Sequence, residues 1–229
     1  MHTLQSSYFF DLAHYKHAAV FNKTTYVWEA LPQIAEYLSS QILGNIETEI
    51  PSGAYLENPK KISIGKGSVV EPGAFIRGPC IIGEKCTIRQ GAYIRGDLIA
   101  GNHCVIGHDT EIKNAILLND VHAAHFAYVG DTILGNYVNL GAGTKCANLK
   151  LDNSHIVILF QGQHIPTGLR KLGAIIGDGT QIGCNAVINP GTLIGKNVAC
   201  YPCVNFGGVI EANQVVKNNI KVLISPKTR

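Results

Sequence analysis

Charge is scarce in this chain. Asp, Glu, Lys and Arg supply 15% of 229 residues and leave a net charge of +3. That balance is too small to argue for nucleic acid or an acidic membrane surface as a partner. No apolar stretch is long enough to span a bilayer. A secretory leader needs a basic start and an uninterrupted apolar run, and here Asp11, His14 and Lys16 interrupt the N-terminus. A second C-x-x-C is also missing. Cys200 and Cys203 stand alone among seven cysteines, so zinc is not indicated. The expectation is reduced core cysteines in a cytoplasmic protein.

What is present is a beat. Ile64, Val70, Ile76, Ile82, Ile88, Ile94, Ala100, Ile106, Ile112 and Leu118 follow one another at six-residue intervals. The pattern resumes as Leu134, Leu140 and Cys146, and again from Ile176 through Ile182, Ile188, Ile194 and Cys200 to Phe206. Period six is neither the 3.6 of an amphipathic helix nor the alternation of a lone strand. It is the signature of a hexapeptide β-helix. Six residues make one short strand and a sharp corner, where glycine or asparagine tolerates positive φ. Three hexads close a triangular coil of eighteen residues. A second inward column precedes the beat by two and is small, as in Ser68, Ala74, Cys80, Cys86, Ala92, Cys104 and Thr110. Coils must stack, because none buries a core alone.

The fold class is therefore all-β: a parallel β-helix with a small helical N-terminal cap and one inserted loop or hairpin. Residues 1–56 do not follow the beat. Leu31, Ile34, Ala35, Leu38 and Ile42 recur at helical spacing, and Gly44 can end that helix. This segment is expected to cover the open end of the prism, where strand edges would otherwise be bare. Residues 57–212 form the β-helix. It is interrupted at 151–170, where Ile156 to Phe160 reads as a strand and Gln161-Gly162-Gln163 as a turn. Such excursions usually sit on the binding face of a solenoid. Residues 213–229 form a tail, strand-like and then basic.

Polar residues share the eighteen-residue period. Arg77, Arg95 and Lys113 should project from one corner as a vertical ladder. Like charges so close repel, so the ladder is odd unless anions or neighbouring carboxylates share it; it reads equally as a phosphate-binding strip and as a solvated edge whose basic side chains discourage edge pairing. The beat slips once, between Leu118 and Leu134, where the sequence reads Val121-His-Ala-Ala-His-Phe-Ala-Tyr-Val-Gly-Asp131. It resumes as Asn139-Leu-Gly-Ala-Gly-Thr144, with Asn148 close behind. A histidine and a tyrosine at a break in a regular repeat form a candidate site.

The run H-x-x-Y-x-G-D, then N-x-G-A-G-T and a further Asn, resembles the C-terminal acetyltransferase domain of the bifunctional glucosamine-1-phosphate N-acetyltransferase/N-acetylglucosamine-1-phosphate uridyltransferase family. The resemblance runs without gaps from Arg95 to Asn148 and resumes at Lys171. It implies a left-handed β-helix and a homotrimer with sites between subunits. It implies acetyl-CoA as co-substrate and an amino-sugar 1-phosphate as acceptor, in nucleotide-sugar or cell-envelope precursor synthesis. Position by position, His125 would be the general base. Arg95, Lys113, Tyr128 and Lys171 would hold the phosphate, and Asn139 and Asn148 the sugar. The backbone around Ala142 would meet the thioester, and Cys184 and Pro202 would line the coenzyme side. Cys184 stands where the family usually has serine, Pro202 where a small residue is usual, and the family's C-terminal coenzyme-binding arginine has no clear match.

The residue types suit the chemistry. A sugar amine must lose a proton as it attacks a thioester, and a neutral imidazole can take it. The oxyanion needs N–H donors, which Gly141-Ala142-Gly143 can supply. No metal is expected, and uridyltransferase activity is not expected. Two other readings stay open. One is a non-catalytic sugar-phosphate-binding or oligomerisation module associated with nucleotidyltransferases. The other is a zinc hydratase of the γ-carbonic anhydrase kind, for which His103 and His108 are suitably spaced but an upstream ligand is missing.

Overall fold

The computed structural model describes residues 4–219 and 224–226. It is a left-handed parallel β-helix with short strands on three faces. The inward beat packs one continuous core, in which Ile76, Ile88, Ile94, Ile106 and Ile112 are all fully buried. Burial of each such side chain stabilises by about 1.5–3 kcal/mol. The small inner column is buried too, including Cys80, Cys86 and Cys104. Burial pushes the thiols of Cys80 and Cys146 up to about 12, so they are poor nucleophiles. Cys200 is buried whereas Cys203 is exposed at a corner, which splits the C-x-x-C pair.

The slip in the repeat is different from the expected one. The inward residue after Ile112 is Leu117, not Leu118, and Ala123, Val129 and Leu134 continue the column. Leu118 faces outward into a second apolar cluster. The coils therefore do not break between 118 and 134. Instead, one corner is shortened by a residue in two successive coils, at 112–117 and at 129–134. There the chain runs through the corner without leaving its strand, giving the seven-residue strands Glu111–Leu117 and Tyr128–Leu134. Asn114 (φ 42°) and Asp131 (φ 49°) occupy this tight corner, in the left-handed conformation that Asn and Asp tolerate.

Residues 4–43 do not cap the open end, whereas Ile46, Ile50 and Ala54 pack against the inner core. Phe9, Phe10, Val20, Trp28, Leu31, Ile34 and Leu38 pack against Ile81, Ile99, Ile116, Ile133, Ile175 and Leu193, the outward residues of one flat face. These residues run along the side of the prism. The physical reason is that this face carries aliphatics on its outside as well as its inside and cannot be left to water. A row of side chains clips the segment on. Asn102, Asn119, Asn136 and Asp178 each accept a backbone N–H from a neighbouring coil, at 2.9, 2.9, 3.2 and 2.7 Å. Asn119 and Asn136 also donate to the carbonyls of His14 and Asp11, at 3.0 and 2.8 Å. The helix is shorter than its spacing suggests, Ile34–Ser39. Ala35 and Ile42 are exposed, because only the 31, 34 and 38 positions meet the prism.

Strand pairing begins before residue 57. Ile46 bridges Ile64, and Tyr55–Glu57 pairs Phe75–Arg77. The excursion is a hairpin, Val157–Phe160 against Gln163–Pro166. Gln161 and Gly162 both take positive φ, as a two-residue hairpin turn requires. Its inner residues Ile156 and Ile158 seat against Gly191, where a β-carbon would lie 2.4 Å from Ile156 Cγ2. Of the tail, Val215–Val216 pairs Ala199–Cys200, whereas the basic residues Lys221, Lys227 and Arg229 lie outside the described residues. No helix among the described residues is long and apolar enough to cross a membrane.

Candidate active site

The shortened corner gathers a polar cluster. Asp131, 5% exposed, accepts hydrogen bonds from Lys113 Nζ at 2.7 Å and from Asn114 Nδ2 at 2.9 Å. It also accepts one from Asn148 Nδ2. Losing one residue from each of two stacked corners brings positions 113–114, 130–131 and 147–148 into vertical register, which is why these side chains meet. Tyr128 and Asn148 converge over Gly130. A β-carbon there would stand 2.7 Å from Tyr128 Oη and 2.8 Å from Asn148 Nδ2. Asp97 lies one coil before Lys113. Burial pushes its carboxyl pKa up, partly opposed by the Lys113 charge.

The hairpin leaves the prism at this corner, so Lys171 returns beside Asn148. Leu149 and Lys171 form an isolated bridge, and Leu172 donates its N–H to the Asn148 carbonyl at 3.0 Å. Arg95 sits one strand from the cluster and donates to Glu111 at 2.6 Å. The cation ladder is real in register, and carboxylates share it: Arg77 meets Glu57 at 2.8 Å, Arg95 meets Glu111, and Lys113 meets Asp131.

The other predicted residues stand round the next corner. His125 ends the strand His122–His125, and Phe126 turns the corner with φ 51°. The His125 backbone pairs with His108, and the His125 carbonyl accepts the Gly143 N–H at 3.0 Å. Ala142 and Cys184 continue upward at that corner, accepting from the N–H of Asn185 and of Cys203 at 2.8 Å each. Pro202 immediately precedes Cys203. Asn139 lies on the same face as His125, between His122 and Gln181 in register. The predicted residues thus fall into two groups on one chain: Lys113, Tyr128, Asn148 and Lys171 on one side of the Phe126 corner, and His125, Asn139 and the Ala142 column on the other. Asn139 is not brought to Asp131.

Asp131, Asn114 and Glu111 bond the predicted residues or one another and had no role from sequence. The signal for Asp131 was present, since it ends the H-x-x-Y-x-G-D run and falls on the shortened corner. Among the described residues no three His, Cys, Asp or Glu side chains converge to hold a metal ion, so His103 and His108 form no such group.

A family model described as the GMPPB C-terminal domain matches residues 76–159. The chain is 34% identical, over 71% of its length, to a bifunctional sugar-1-phosphate nucleotidylyltransferase/acetyltransferase of Sulfurisphaera tokodaii, of which it covers 39%. It is 35% identical over 53% of its length to the bifunctional protein GlmU of Methanococcus maripaludis, covering 29% of that protein. The chain resembles the hexapeptide-repeat acetyltransferases of this bifunctional family. It spans less than half the length of these two relatives. Near its own length stands the putative uncharacterized acetyltransferase YaiX of Escherichia coli, 29% identical over 81% of this chain and 83% of that one.

Proposed function

We propose that this chain transfers an acetyl group from acetyl-CoA to the amine of an amino sugar that carries a 1-phosphate, and that it works as a homotrimer. The observation that carries the reading is the convergence of Lys113, Tyr128 and Asn148 at the shortened corner, with Arg95 and Lys171 at its margins. Two neutral donors and three cations at one corner suit a sugar hydroxyl set and a phosphate. A trimer in which one chain's His125 side meets another's Asp131 side would answer the separation of the two groups.

The step follows from the residues present. The sugar amine attacks the thioester carbonyl while His125 accepts its proton. The Ala142 N–H faces the oxygen that gains charge, since those of Gly141 and Gly143 are held by the carbonyls of Ile182 and His125. Collapse breaks the carbon–sulfur bond, and the thiolate leaves with the proton that His125 returns. Asp131 orients Lys113, Asn114 and Asn148.

The test is free-thiol release from acetyl-CoA with glucosamine 1-phosphate, with a no-substrate control for the protein's own cysteines. His125→Ala should lower kcat by about 10²–10⁴-fold, the usual contribution of a general base. Unchanged turnover in the variant would refute the mechanism. A wild type that binds the sugar phosphate but releases no thiol would favour a binding module instead.

A further inference from the structure

The face that carries Tyr128 continues downward as a strip of aromatic rings. Tyr55, Phe75 and Tyr93 are in successive register, and the next residue in that column is Glu111, followed by Tyr128. Ring centroids are 5.1 Å apart for Tyr55 and Phe75 and 5.3 Å for Phe75 and Tyr93. Tyr55 is 58% exposed and Tyr93 37%. A lone exposed ring on a strand is ordinary, but three in consecutive register make a patch that calls for an occupant. Arg77 and Arg95 lie two residues further along the same strands and therefore on the same outward face. Their guanidinium carbons stand 5.7 Å from the Phe75 centroid and 6.0 Å from the Tyr93 centroid. The two carboxylates on this strip, Glu57 and Glu111, are paired with those arginines. Both ion pairs are more than a third exposed, so solvent screens them and a polyanion can displace the carboxylates.

Resting on the acyl-transfer reading above, we propose that the aromatic strip is the base-binding extension of the same site. The acceptor is then an amino sugar linked to a nucleoside diphosphate, not a free sugar phosphate. The sugar lies at Tyr128 and Asn148, the diphosphate against Arg95 and Arg77, and the base on Tyr93 and Phe75. From the Tyr128 register to the Phe75 register is three strand spacings, about 14 Å, which suits a sugar, two phosphates and a ribose end to end. Stacking on rings also tolerates any base, because every base has a π-face. A second copy of this chain is the competing occupant, and aromatic rings beside arginines would suit that too. The direct continuity of the strip with the phosphate-binding cations favours the nucleotide.

The test compares kcat/KM for uridine-diphosphate-linked glucosamine and for glucosamine 1-phosphate with acetyl-CoA. Wild type should prefer the nucleotide-linked acceptor by about tenfold or more, within the range that base stacking supplies. Tyr93→Ala and Tyr93→Leu should both bring the ratio towards unity, the leucine variant keeping apolar cover without a ring. A ratio near unity in wild type, or one unmoved in both variants, would overturn the proposal. If neither acceptor is acetylated, the acyl-transfer reading fails on its own account. Calorimetric binding of uridine 5′-diphosphate then decides: Kd raised about tenfold by Tyr93→Ala supports the extension, and no binding to wild type overturns it. Loss of the wild-type oligomeric state in both variants would assign the strip to subunit contact and overturn it as well.

Discussion

Replacing Asp131 by alanine should cost more than any other single change at the polar corner. The carboxylate is 8% exposed and its partner Lys113 is 18% exposed, at 2.7 Å. Removal strands that ammonium together with the amide donors of Asn114 and Asn148. Breaking a buried pair by deleting one partner costs about 3–5 kcal/mol. The partial exposure of Lys113 places this case at the low end, about 3 kcal/mol. In a chain of this size that corresponds to a fall in Tm of about 6–12 °C. Lys113→Met should cost less, because Asp131 keeps its two amide donors. The double variant should cost less than the sum of the singles, with a coupling of about 1.5 kcal/mol or more. Urea unfolding of all four proteins measures this. A loss below about 1 kcal/mol for Asp131→Ala, or additivity within about 0.5 kcal/mol, would refute the argument that this carboxylate organises the corner.

Acid should loosen the N-terminal segment. His17 is buried, bonds Tyr37 Oη through Nδ1 at 2.9 Å, and has its pKa lowered to about 4 by burial and by Lys16. The unfolded chain takes up the proton near pH 6.5, so stability is full above that pH and falls between about 6.5 and 4, by about 3 kcal/mol. His17→Gln should flatten that part of the pH–stability curve, and an unchanged slope would count against His17 as its source. Gly107→Ala should destabilise by about 3 kcal/mol, the top of the usual overpacking range, because its β-carbon would lie 1.7 Å from the Ala124 carbonyl oxygen. Chemical denaturation showing a loss below about 1 kcal/mol would mean that the coil relaxes there.

Period six alone was enough to establish stacked coils, their inward aliphatics and the small second column, because each inner position repeats one environment. The hairpin was legible for a similar reason, since a strand-like run followed by Gln-Gly is a local signal. Arg77, Arg95 and Lys113 could be placed on one corner by counting eighteens. Their carboxylate partners could not, since Glu57, Glu111 and Asp131 lie in neighbouring coils whose alignment depends on where residues are dropped. The same blindness hid the shortened corner. Leu117 and Leu118 are both leucine, and only packing shows that the first faces the core and the second the N-terminal segment. That segment's destination was likewise invisible. Ile81, Ile99, Ile116 and Ile133 sit next to inward residues in every coil, and only the closed prism shows that they form an outer apolar face. The sequence by itself determined the repeat, the core and the residues capable of the chemistry. The tertiary structure decided which corner tightens, which face is covered and which side chains meet, because those depend on contacts between coils and not on order along one.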